Sequence, residues 1–66
     1  MKIIINSQQK DVKEGVTLQQ LLEELSLEDK VMAAAVNMQI VKQKEWGSFV
    51  LHENDKLELL DFVGGG

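Results

Sequence analysis

Thr17-Leu18-Gln19-Gln20-Leu21-Leu22-Glu23-Glu24-Leu25 places leucine at 18, 21, 22 and 25, the i, i+3, i+4, i+7 spacing of one helical face. Gln19, Gln20, Glu23 and Glu24 fall on the other side. Thr17 followed by Gln20 has the form of a capping box, in which the hydroxyl accepts from an early helical N–H and Gln20 reaches back to the cap. A helix therefore begins here and needs something to cover its leucines. A partner helix could do so, but the expected cover is the chain's own sheet, because a one-sided helix must bury its stripe within its domain.

Upstream, residues 2–6 form a β-rich run with Met1, Ile3 and Ile5 on one face and Ile4 on the other. Ser7-Gln8-Gln9 reads as the turn, residues 10–14 around Val12 as the second arm of a hairpin, and Gly15 as the break before the helix. Downstream, residues 31–36 suit helix by their alanines and strand by Val31, Val36 and their short length, and strand is the reading adopted. Asn37 can adopt the turn conformation that returns this run to Ile40-Val41, although Met38 stands where glycine would ease it. Residues 42–48 read as an irregular segment with Trp46 as a lid over the core edge. Phe49-Val50-Leu51 is short enough for a strand or a helical turn. His52 and Glu53 read as a solvated pair, and Glu53-Asn54-Asp55 as a turn with Asn54 left-handed.

The last apolar run changes phase. Leu57, Leu59 and Val63 share one face with Asp61 among them, whereas Lys56 and Glu58 begin a second face that Leu60 and Phe62 continue. Either a bulge shifts the register or the outer face turns apolar, and the second reading is preferred because an exposed apolar patch there has a use. Three glycines follow, Gly64-Gly65-Gly66. Without Cβ atoms they cannot pack, but they can thread a narrow channel and present only a terminal carboxylate. A frayed end is the plain alternative. The expected organisation is one domain over residues 1–63 with a glycine tail at 64–66.

Composition narrows the function classes. At 66 residues, a single core supplies only about 3 to 5 kcal/mol unless something staples it. With no Cys and one His, His52, neither a disulfide framework nor a thiolate zinc site is available. Eleven acidic against seven basic residues give a net charge of -4, and the lysines are scattered, which argues against a nucleic-acid partner. Ile3-Ile4-Ile5 is too short for a signal core or membrane span, so a cytoplasmic protein with no membrane partner is expected. Nothing resembles a catalytic set, and no bound cofactor or metal is expected.

Taken in order, these pieces resemble the ubiquitin-like β-grasp sulfur carriers, and most closely the ThiS family of thiamin biosynthesis. The resemblance rests on Val16-Thr17-Leu18 entering a leucine helix, Ala35-Val36-Asn37 before Ile40-Val41, and Glu45-Trp46 in mid-chain. It continues through Glu53-Asn54-Asp55-Lys56-Leu57-Glu58 to Phe62-Val63-Gly64-Gly65-Gly66. Met38 and Asn54 depart from the small residues expected at those turns. The fold implied is α+β, a mixed four- to five-stranded sheet packed on one main helix.

The resemblance also implies a chemistry: Gly66 is adenylated by a ThiF-like adenylyltransferase that uses ATP, then converted to a thiocarboxylate. A sulfur-donating enzyme such as a cysteine desulfurase supplies the sulfur, and a ThiG-like thiazole synthase receives it. The absence of Cys agrees, since a carrier without a thiol must hold sulfur on another group. Ordering a three-residue tail costs roughly 3 to 6 kcal/mol, at about 1 to 2 per residue. The adjoining body must supply binding energy, and Ile4, Leu60, Phe62 and Val63 are the candidate partner-binding residues; the bland alternative is that they finish the core edge. A molybdopterin synthase small subunit, and a ubiquitin-like interaction module without sulfur chemistry, remain competing readings.

Overall fold

The computed structural model describes residues 1–61; Phe62, Val63, Gly64, Gly65 and Gly66, and with them the expected domain end and tail, lie outside the described residues. Five strands form one mixed sheet, β1 (Lys2–Ile5), β2 (Gln8–Asp11), β3 (Val31–Val36), β4 (Gln39–Val41) and β5 (Lys56–Asp61), in the order β2-β1-β5-β3-β4. One helix, α1 (Leu18–Glu24), crosses between the two hairpins. The N-terminal and C-terminal strands of this set lie side by side and parallel at the centre, Ile4 opposite Lys56 and Ile5 opposite Leu57.

Helix α1 starts as its sequence dictates. Gln20 N donates to Thr17 Oγ1 at 3.1 Å and Thr17 N to Gln20 Oε1 at 3.0 Å, so both halves of the capping box form. Leu18, Leu21 and Leu22 are fully buried, and Leu25 packs half-buried against the same core. The helix ends in a Schellman motif: Leu27 N donates to Leu22 O, Ser26 N donates to Glu23 O, and Ser26 takes a left-handed φ of 58°.

The sheet meets these leucines with Ile3, Ala34, Val36, Val41, Leu57 and Leu59. The registers Ala34↔Leu59, Val36↔Leu57 and Ala34↔Val41 align these side chains on one face. Trp46 follows a 3₁₀ turn (Gln43–Glu45) and is fully buried, its Nε1 donating to Val41 O at 2.9 Å. It is thus a core side chain with its one polar atom satisfied, rather than a lid at the edge. Among the described residues no buried side-chain nitrogen or oxygen lacks a partner.

Three sequence expectations are corrected here. The first turn is Asn6-Ser7, not Ser7-Gln8-Gln9, and β2 runs Gln8–Asp11 instead of over 10–14. Asn6 and Ser7 take φ values of 48° and 74°, the two successive left-handed residues of a type I′ hairpin, achieved without glycine. Val12 is buried beyond the strand, its N–H donating to Met1 O. Residues 49–51 form neither strand nor helix; a single bridge joins Val50 to Thr17 while Leu51 fills the core. A bulge does occur opposite the last run, but on β3: Val31 pairs with Asp61 and Ala33 with Leu60, leaving Met32 as the extra residue. The hairpin at Asn37-Met38 forms as expected, with φ values of 52° and 73°, and Asn54 is left-handed at 69°.

Candidate functional site

Strand β5 is the last described element before Phe62-Val63-Gly64-Gly65-Gly66, so the expected partner-binding residues are sought around its C-terminal half. Its inward residues, Leu57 and Leu59, are buried, whereas Leu60 is 62% exposed. The outer face is therefore apolar at Leu60, in agreement with the preferred reading of the phase change. Register brings the neighbours: Leu60 lies opposite Ala33, Glu58 opposite Ala35, and Ala35 opposite Ile40, which is 71% exposed. The alanines on β3 form a low floor between Leu60 and Ile40, and the Asn6-Ser7 turn closes the end. The result is a shallow groove of about 480 Å³ on the face away from α1.

Ile4 is half-buried on this outer face, since Ile3 and Ile5 on either side of it pack inward. It sits beside Lys56, four residues from Leu60 along β5, or about 13 Å at strand rise. The structure thus does not bring Ile4 and Leu60 together; Ile4 is a shoulder and Leu60 a groove wall. Phe62, Val63 and the three glycines lie outside the described residues. Ile40, Ala33 and Ala35 were missed as surface residues. Their signal lies in pairing across three strands, which no local pattern carries.

A larger cleft of about 590 Å³ lies between Gly15 and the start of α1, lined by Lys13, Glu14, Gln20, Glu23 and Glu24. Its walls are charged and solvated, and it is on the helical layer. Among the described residues no cluster of His, Asp and Glu could hold a metal ion. His52 is exposed. Its backbone N–H donates to Asp55 Oδ2 at 2.8 Å, so its place in the structure is a turn. No helix among the described residues is long and apolar enough to cross a membrane.

Comparison with known proteins agrees with this architecture. The chain matches the ThiS family model over residues 3–66. It is 32% identical, over the whole of both chains, to the sulfur carrier protein ThiS of Escherichia coli (strain K12). It is also 32% identical over its whole length to a thiazole synthase of Paramagnetospirillum magneticum, of which it spans only 20%. The fold superposes on the crystal structure of the thiamine biosynthesis protein ThiS from Geobacter metallireducens with a TM-score of 0.83 at 23% identity, covering all of both chains. A central parallel pair made by the first and last described strands, one capped helix across them and this family match together identify the chain as a ubiquitin-like β-grasp protein that belongs to the ThiS family of sulfur carriers in thiamin biosynthesis.

Proposed function

We propose that the carboxylate of Gly66 is the group that carries sulfur, and that the Leu60 to Ile40 groove holds the body of the protein against the enzymes that load and unload it. The carboxylate attacks the α-phosphorus of ATP on a ThiF-like adenylyltransferase, releasing pyrophosphate and leaving an acyl adenylate. The terminal sulfur of a persulfide on a sulfur-donating enzyme, such as a cysteine desulfurase, then adds to the acyl carbon, and AMP leaves with the former carboxylate oxygen on its phosphate. A partner thiol cleaves the S–S bond of the acyl disulfide so formed, itself ending in a disulfide with the donor's cysteine, and the product is a thiocarboxylate. A ThiG-like thiazole synthase takes the sulfur. The chain is a cosubstrate in this scheme: it holds no cofactor, and ATP belongs to the activating partner, in the cytoplasm.

The observation that supports this most is the position of Leu60, Ile40 and their alanine floor at β5, the strand that precedes Phe62-Val63-Gly64-Gly65-Gly66 in the sequence. The family match through residue 66 and the absence of cysteine point the same way. Incubation with ATP, the activating enzyme and a sulfur donor should raise the intact mass by the difference of sulfur for oxygen. The same gain in a variant lacking Gly66 would show that the sulfur resides elsewhere. Offering the loaded protein to a thiazole synthase and to a molybdopterin synthase large subunit tests the acceptor; transfer to the second alone would reassign the pathway and keep the carrier chemistry.

A further inference from the structure

In a parallel strand pair, a residue that donates its N–H to one strand neighbour accepts, through its own C=O, from the residue two further along. Strand β1 follows this rule against β5 until Asn6, whose N–H donates to Leu57 O at 2.9 Å. The next bond would join Leu59 N–H to the main-chain carbonyl of residue 6. At Asn6, however, the chain has turned to a φ of 48° and entered the hairpin. The side chain takes the vacated role: Leu59 N donates to Asn6 Oδ1 at 2.9 Å, and Asn6 Nδ2 reaches Leu59 O at 3.5 Å. A carboxamide has the donor and acceptor of a peptide group, so it prolongs the ladder by one unit after the strand itself has left.

We infer that Asn6 is a positioning residue for the sulfur-carrying end: it holds the last part of β5 from the β1 side and so fixes the direction in which that strand ends at Asp61. Beyond Leu57, β3 is the only strand that pairs with β5 among the described residues, and its pairing there contains the bulge between Val31 and Ala33. One edge of the strand is thus irregular, and the other depends on a single side chain. The Asn6-Ser7 turn borders the Leu60 groove, but the carboxamide of Asn6 is spent on Leu59, so the clamp acts on the strand and not on the docked partner. This role rests on the proposed use of Gly66 as the sulfur carrier.

Asn6→Gly is the clean test, because glycine accepts the left-handed φ and removes only the carboxamide. The matched control is Asn37→Gly, which also sits at a left-handed φ and removes a carboxamide that holds the opposite end of β5, at Asp55 and Lys56. With the activating enzyme, Asn6→Gly should lower kcat for acyl adenylate formation about ten- to hundredfold while KM for the carrier stays within about twofold. The Leu59 amide should exchange with solvent about tenfold faster or more. Asn37→Gly should keep the unaltered kcat, and Asn6→Asp, which retains the acceptor, should restore most of the rate. Equal kcat for Asn6→Gly and the unaltered chain, equal losses in the two glycine variants, or Asn6→Asp as slow as Asn6→Gly would overturn the role. An unaltered chain that forms no adenylate at all would overturn the sulfur reading, and this role with it.

Discussion

Asn37 and Asp55 are joined side chain to side chain, Nδ2 donating to Oδ1 at 3.0 Å, and through this contact the tip of one hairpin is tied to the turn that launches β5. Asp55 is the buried charged residue of the described chain; its second oxygen accepts from His52 N at 2.8 Å, and Asn37 Oδ1 accepts from Lys56 N at 3.0 Å. Every partner is a fixed donor, so removing the carboxylate leaves backbone and amide N–H groups short. Asp55→Ala should lower unfolding free energy by about 1 to 3 kcal/mol. Urea denaturation gives the number; a loss near zero would mean that water replaces the carboxylate without penalty.

Met38 and Ser26 both hold left-handed backbone at φ 73° and 58°, and both are exposed. An L side chain in that region costs about 1 to 2 kcal/mol relative to glycine. Part of the gain returns as glycine's greater freedom in the unfolded chain. Met38→Gly and Ser26→Gly should each raise stability by about 0.5 to 1 kcal/mol, and the two should add, since they lie in separate turns. A fall in the thermal midpoint for Met38→Gly would reveal contacts of the methionine that outweigh its strain.

Leu60 and Leu57 give opposite signatures although both are leucines of one strand, because Leu57 is 0% exposed and Leu60 is 62% exposed. Leu57→Ala should cost about 2 to 5 kcal/mol, enough to threaten a domain of this size. Leu60→Ala should leave stability nearly unchanged, within about 0.5 kcal/mol, yet weaken binding to the activating enzyme by about 1 to 3 kcal/mol. Isothermal calorimetry beside a denaturation curve on the same variant separates the two. Undiminished affinity would remove Leu60 from the docking surface.

Trp46 fills the core and its indole N–H is spoken for by Val41 O. Trp46→Ala should cost about 3 to 5 kcal/mol, comparable with the whole stability of so small a domain, and leave the chain largely unfolded. Trp46→Phe keeps most of the volume, leaves the Val41 carbonyl without its donor, and should fold with a loss of about 1 to 3 kcal/mol. Far-ultraviolet circular dichroism of the pair checks this; a folded Trp46→Ala would contradict the packed core described above.

What could be read in advance was what is encoded locally. Thr17, Gln20 and the four leucines lie within one short segment and carry both a period and a start signal, so the existence and the beginning of α1 were legible. Asn37 and Asn54 announced their turns by residue type. Asn6-Ser7 did not, because neither is glycine and the polar residues that follow look equally like a turn; only pairing of Ile5 with Gln8 resolves it. The exposure of Leu60 was legible from alternation, but the groove was not. Ala33, Ala35 and Ile40 become its floor and far wall through registers between strands, and the clamp of Asn6 on Leu59 spans 53 residues.

The central parallel pair also sets the timing of assembly. Strand β5 belongs between β1 and β3, so the hairpins on either side cannot share a sheet until the far end of the chain arrives to join them. Closing such a distant contact is slow compared with forming α1 or either hairpin, which places the joining step late. Until β5 joins, both flanking hairpins lack their common neighbour. Unpaired strand edges in that interval invite wrong partners. A chain that stops short of β5 therefore holds two separate hairpins and a helix with no closed sheet to cover its leucines.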